Sequence, residues 1–195
     1  MYDILFQKGK IGNVELKNRL IMSPMGSNLA ELDGSCGDAM IAYYEERAKG
    51  GCGLIMPEIC RVNDATGAGS FRQLSVTKDR HIAGLSKLAA AIHKHGSKIF
   101  IQLHHPGREG VSRLIGGQPC VSASDRVCLY SQQPTRALTH DEVLELIEQF
   151  SDGAVRCQKA GIDGVEIHAI HEGYLLDQFA MANMNHRTDE FGGSL

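Results

Sequence analysis

The chain has 195 residues, with 20 Lys and Arg against 23 Asp and Glu, a formal net charge of −3. Hydrophobic residues make up 43% and charged residues 22%, which excludes a disordered acidic tail, a collagen-like repeat and a basic nucleic-acid arm. Glycine is frequent at 22 residues and proline sparse at 5, which suits tight turns between regular elements rather than a loose linker.

The first eight residues, Met1 to Lys8, lack the basic start, apolar centre and small-residue cleavage site of a signal peptide. No apolar run reaches the ~20 residues that span a bilayer. Arg19–Ser23 is a short apolar run of strand type. Asp38–Lys49 follows with helical spacing, placing Met40, Tyr43, Tyr44 and Ala48 near one face before Gly50 and Gly51 stop it. Gly53–Met56 is the second strand. Asp79–Lys94 is the second helix, with Ile82, Leu85, Leu88, Ala89 and Ile92 on one stripe and Gly96 at its end. Lys98–Leu103 is the third strand. The stretch Gly107–Arg136 is long, polar and irregular, the signature of a lid, a binding loop or an excursion. Thr139 and Glu142 form a capping box that opens a helix to Ala160, with Val143, Leu146, Ile147, Phe150, Ala154 and Cys157 facing inward. Gly164–His168 is the fourth strand.

The strands are continuously apolar, as strands covered on both faces are, and the recurring helix–glycine–strand order is the βαβ rhythm of a parallel sheet. The six cysteines include no CxxC pair, which argues against a zinc ribbon or a four-cysteine iron–sulfur site within this segment. They read as reduced thiols, mostly in the core, and the expected location is the cytoplasm. No Walker A loop and no GxGxxG motif is present.

Chemistry gathers where the strands end, which is where α/β sheets and barrels bind ligands. Strand one leads into Ser23, Pro24, Met25 and Gly26. Strand two leads into Pro57, Glu58 and Ile59. Strand three carries Gln102 and leads into His104, His105, Pro106, Gly107 and Arg108. Strand four ends at His168 and leads into His171 and Tyr174. Two neutral imidazoles could hold and polarise a carbonyl oxygen while a phenol delivers a proton. Read alone, the histidine pair fits equally well as packing under a loop. With His104 or His105 it could also ligate zinc, although no Asp or Glu sits at a recognised ligand spacing. The Gln102 amide could pair with loop backbone or with the polar edge of a planar heterocycle. Arg108 could bind a phosphate or carboxylate, or simply be solvated.

At these residues the chain resembles the flavin-dependent Old Yellow Enzyme superfamily of NADH:flavin oxidoreductases. The likeness is carried by Asn18–Met25, by Tyr43–Gly51, by Ile101–Arg108 and above all by Glu166–Leu195. The His171–Phe179 segment HEGYLLDQF and the Arg136–Thr139 entry to the third helix are most similar to the branch of 2-enoate reductases and 2,4-dienoyl-CoA reductases. The resemblance implies a (β/α)8 TIM barrel with FMN at the C-terminal ends of the strands. It implies that Pro24, Met25, Gly26, Ile59, Gln102 and His168 contact the isoalloxazine. His168 and His171 would hold the substrate carbonyl and Tyr174 would be the proton donor. Glu172 looks inserted relative to many relatives, which affects the alignment of His171. Gly26 stands where relatives carry Thr or Cys.

The activity implied is reduction of an activated C=C bond in a 2-enoate, enone or dienoyl thioester with hydride from NAD(P)H. Partners are then a small unsaturated carbonyl substrate and a further copy of the protein in a homo-oligomer, with neither nucleic acid nor membrane. A metal-dependent TIM-barrel hydrolase using the histidines is the competing reading, and a non-catalytic fragment is the third. Four strand–helix units are visible where a barrel needs eight. Residues 1–195 are therefore expected to be the N-terminal part of the flavin barrel, without the phosphate grip. FAD and a 4Fe–4S cluster are expected only in a complete protein.

Overall fold

The computed structural model describes residues 2–128, 131–171 and 173–193. Its centre is a parallel sheet. Strand β3 (Ile21–Met22) pairs with β4 (Leu54–Ile55), which pairs with the start of β6 (Lys98–His104). The end of β6 pairs with β5 (Cys60–Arg61), and its other edge carries β9 (Gly164–Ile167). Ile55 opposes Ile99 and Cys60 opposes Leu103, so the β4–β5 side holds one residue more than β6 between those pairs. That extra residue bulges the strand around Glu58, as bulges do where a side chain must be re-aimed.

The sheet has two faces because side chains alternate along each strand. Ile99, Ile101 and Leu103 point outward into the main core. They meet Met40, Tyr44 and Ala48 of α1 (Asp38–Lys49) and Leu85, Leu88 and Ile92 of α2 (Ile82–His93). Cys157 of α3 (His140–Lys159) completes this layer. On the inward face, Phe100 packs with Leu16 and Leu54 and closes the bottom of the sheet. Leu16 comes from a small antiparallel hairpin, β1 (Gly9–Ile11) and β2 (Val14–Leu16), which the sequence reading did not foresee. Gly164 lies opposite Phe100, and a Cβ there would come within 2.7 Å of its ring.

The three helices lie where periodicity placed them, with small corrections. The Asp79 start of the second helix is a 3-10 turn over Asp79–His81. Ile147, expected inside, is exposed because no described element covers it. It lines an apolar groove of about 740 Å³ between α3, the outer face of β9 and α4 (Leu175–Ala180). β3 and β4 are shorter than their apolar runs at both ends, β9 starts at Gly164 as expected but stops one residue short at Ile167, and β6 extends one residue further to His104. Continuous burial holds for β4 and β6 but not for β3, whose Ile21 is 44% exposed, nor for β9, whose Ile167 is 45% exposed on that same groove. The irregular stretch after Gly107 is an excursion with its own parallel pair, β7 (Cys120–Ser122) and β8 (Thr135–Ala137).

The capping box forms as read. Glu142 N–H donates to Thr139 Oγ1 at 3.2 Å, and Thr139 N–H donates to the Glu142 carboxylate at 2.8 Å. Arg136 grips the same carboxylate through both terminal nitrogens, at 2.6 and 2.7 Å, and holds its pKa down at about 2. None of the six cysteines is in a disulfide, and five of them are buried. Among the described residues no helix is long and apolar enough to cross a membrane.

Candidate active site

The inward face above Phe100 carries two cross-strand polar pairs in register. Gln102 of β6 opposes Glu166 of β9. Two residues further along, and so on the same face, His104 lies beside His168, whose N–H donates to the Leu103 carbonyl at 3.0 Å. The Gln102 side chain was expected to meet loop backbone or a heterocycle. Its Nε2 instead donates to the Glu166 carboxylate at 2.5 Å. A carboxylate only accepts, so it takes the NH2 end of the amide and leaves Oε1 as an acceptor for another donor.

His104 Nδ1 and His168 Nδ1 are 2.8 Å apart. Tyr174, at the N-terminus of α4, sets its ring 4.8 Å from His104, 4.9 Å from His168 and 5.6 Å from His171, stacked on the last. His168 and His171 lie 5.1 Å apart. The strand-four residues singled out in the sequence, His168, His171 and Tyr174, therefore converge, and His104 joins them. Burial pushes His104 down to about 2 and His105 down to about 3, and lowers His168 as well. All three rings are therefore neutral near neutrality rather than fixed cations.

The loop carrying His171 and Tyr174 is fixed by α4. The buried Asp177 carboxylate accepts from the His171 N–H at 3.0 Å and the Gly173 N–H at 2.7 Å. Gln178 Nε2 donates to the Gly173 carbonyl at 2.6 Å. Gln178 also packs on Gly107, where a Cβ would lie 2.5 Å from its Nε2 and φ is +60°, so only glycine fits. His105 turns away from the cluster. Its Nδ1 accepts from the Gly107 N–H, so Nε2 carries the proton and donates to Thr66 Oγ1 at 3.0 Å.

The loop after β3 is held from below by Glu58, which is 1% exposed. One of its carboxylate oxygens accepts from the Ser27 N–H, the Ser27 hydroxyl and the Asn28 N–H, at 2.6 to 2.8 Å. The other accepts from the Leu74 N–H at 2.9 Å. Pro24, Met25 and Gly26 lie just before the anchored Ser27 and Asn28, with Met25 62% exposed and open space around Gly26. Ile59, half-buried, follows the bulge beside it. Arg108 is not the free anion grip considered from sequence: it pairs with Glu109 at 3.3 Å and donates to Met184 Sδ at 3.1 Å. Glu172 lies outside the described residues. Among the described residues no group of three or more His, Cys, Asp or Glu could hold a metal ion, so the zinc reading finds no support.

Sequence reasoning missed Glu58, Glu166, Asp177 and Gln178 as site builders. Only Gln102, an amide inside an apolar strand, signalled that a polar partner had to face it.

The NADH:flavin oxidoreductase / NADH oxidase family model matches residues 4–195. The chain belongs to that family. It is 42% identical over 190 residues to an NADH oxidase of Thermoanaerobacter brockii, covering 97% of this chain and 29% of that protein. It is 39% identical over 199 residues to a cinnamate reductase of Clostridium sporogenes, covering 100% of this chain and 30% of the relative. An Old Yellow Enzyme homologue from Zymomonas mobilis superposes with a TM-score of 0.86 at 33% identity, covering 97% of this chain and 55% of that structure. The chain thus spans under a third of these curated relatives and about half of an Old Yellow Enzyme barrel. Its five parallel strand segments, of which β4 and β5 are the two parts of one bulged strand, have with their helices the architecture of half such a barrel, with the ring cluster at the carboxyl ends of the strands.

Proposed function

We propose that this chain is the N-terminal part of an FMN-linked barrel, residues 1–195, that reduces the activated C=C bond of an unsaturated carbonyl compound with hydride from NAD(P)H. The observation that carries this reading is the convergence of His168, His171 and Tyr174 beside an amide whose acceptor oxygen has been left free by Glu166.

The residues fit a flavin. A planar ring with a polar N–H edge needs an acceptor, and Gln102 Oε1 supplies one. Half-buried Pro24, exposed Met25 and Gly26 and the Ile59 side chain would supply one wall, and His168 another. When bound, FMN would supply the two-electron hydride chemistry between NAD(P)H and the β-carbon of the substrate. The protein's share is orientation and proton handling. His168 and His171 hold the substrate's carbonyl oxygen, so that negative charge developing there meets N–H donors. Tyr174 delivers the proton to the α-carbon through its phenol.

The greater length of the relatives leaves room for an FAD and a 4Fe–4S centre in the intact protein, and we place them there. We also place the protein in the cytoplasm, as a homo-oligomer.

Stopped-flow measurement of the two half-reactions in the intact protein tests the reading. Tyr174→Phe should leave reduction of the flavin by NAD(P)H fast and slow reoxidation by an enoate roughly 10²–10⁴-fold. Equal slowing of both halves would sink the assignment, and so would a colourless protein that takes up no flavin.

A further inference from the structure

The buried imidazole of His104 is unused by that mechanism, yet it touches the ring that is to hold the substrate. His104 is 0% exposed, and its Nδ1 is 2.8 Å from His168 Nδ1. Its other nitrogen, Nε2, is enclosed beside Gly69 and has no hydrogen-bond partner. His168 differs in this respect. It is only half-buried, and its Nε2 is not among the enclosed unpartnered atoms.

Two neutral rings that meet nitrogen to nitrogen share one proton at that contact, and its position fixes both tautomers. If the proton sits on His168 Nδ1, then His104 must carry its own proton on Nε2. That would bury an N–H with no acceptor, an arrangement proteins rarely tolerate. If the proton sits on His104 Nδ1, the enclosed Nε2 is a bare lone pair, which is the lesser fault. His168 Nδ1 then accepts, and His168 carries its proton on Nε2, where the cleft can use it.

We propose that His104 is a positioning residue: its Nδ1–H fixes His168 as the Nε2–H tautomer and aims that N–H at the carbonyl oxygen of the substrate. The assignment rests on the proposed function only for the identity of the oxygen; the tautomer itself follows from the two rings. The burial that keeps both rings neutral removes the competing arrangement, an imidazolium donating from both nitrogens. His171 and Tyr174, the other groups packed against the pair, do so through their rings, at centroid distances of 4.8 to 5.1 Å, with the Nδ1–Nδ1 contact in place beside them.

The test is a two-bond ¹H–¹⁵N correlation spectrum of the intact protein labelled at histidine, at neutral pH. The expected wild-type pattern is His168 protonated on Nε2 and bare on Nδ1, with His104 the reverse. His104→Asn retains an N–H that can reach His168 Nδ1. It should preserve the His168 pattern and keep enoate reduction within a few-fold. His104→Leu supplies no donor, so the His168 pattern should be lost and enoate reduction should fall roughly tenfold, the worth of one hydrogen bond. The spectrum needs no turnover, so failure of the tautomer assignment and failure of the enoate-reductase reading are separately visible. A wild-type His168 protonated on Nδ1 overturns the proposal. So does a His104→Leu protein with the wild-type His168 pattern at full enoate rate. Should the Leu variant not fold, the wild-type and Asn spectra decide.

Discussion

Acidification should destabilise this fold well before its carboxylates titrate. His104 and His105 are both 0% exposed, with pKa values pushed down to about 2 and about 3 by burial. In the unfolded chain each returns to an ordinary value of about 6.5. A group whose folded pKa is depressed binds fewer protons when folded. Its penalty is absent above the unfolded pKa and grows as pH falls from there toward the folded value. Between pH 7 and pH 5 each ring costs about 2 kcal/mol by this linkage, and the pair about 4 kcal/mol. That is a large share of the 5–15 kcal/mol by which domains are typically stable. His81 and His168, also lowered by burial, act in the same direction, whereas His140, raised by Glu190, opposes them weakly from the surface. Carboxylates scarcely contribute in this window, because unfolded Asp and Glu remain ionised above about pH 5. Urea denaturation at pH 7 and pH 5 measures the difference, and His104→Leu should remove about 2 kcal/mol of it, its own share. Equal unfolding free energies at the two pH values, or a Leu variant with the full wild-type pH dependence, would refute the argument.

Glu58→Gln should loosen the loop after β3. Its amide must turn one N–H2 toward either the Leu74 N–H or the Ser27 and Asn28 donors, losing stability of about 1–3 kcal/mol by urea denaturation and weakening FMN affinity in a fluorescence titration. Gln102→Leu should keep the fold but raise the FMN dissociation constant roughly tenfold, since it removes the acceptor that Glu166 leaves facing the ligand. Gly84→Ala, ordinarily a gain inside a helix, should instead lower the melting temperature. Its Cβ would lie 2.5 Å from the Cys36 carbonyl oxygen, and overpacking of about 1–3 kcal/mol outweighs about 1 kcal/mol of helix propensity.

The helices were legible because their determinants are local. The Thr139–Glu142 box in α3 lies within about one turn of chain and the stripe in α2 within about three, and glycines mark their ends. The four strand positions were legible from apolar runs, but the lengths were not, since a strand ends where its partner stops offering hydrogen bonds. The β1–β2 hairpin escaped because three-residue strands carry almost no period. Tyr174, His168 and His171 stood out because they lie close together in sequence. The pairing of Gln102 with Glu166 spans 64 residues and depends on register between strands, which no local pattern encodes. Glu58 was visible only as one residue after a strand. Its four donors come from two other segments and a bulge that sequence does not announce.

The register also explains why chemistry is confined to one end of the sheet. Three successive inward pairs between β6 and β9 climb from Phe100 and Gly164, through Gln102 and Glu166, to His104 and His168. At the bottom, Phe100 joins Leu16 and Leu54 in a buried apolar floor. A polar group can be raised on that floor only if the opposing strand answers it, since an unpaired buried amide or charge costs several kcal/mol. Glu166 answers Gln102 and thereby fixes which end of the amide looks upward. His104 answers His168 in the next layer and fixes which nitrogen looks outward. Each pair has one member enclosed or satisfied and one atom left over, and the leftovers, an acceptor oxygen and a donor nitrogen, both lie on the inward face toward the carboxyl ends of the strands. Under the function proposed above, a planar ring with an N–H edge and a carbonyl substrate would be the complements of those two atoms, the ring lower on the face and the carbonyl above it.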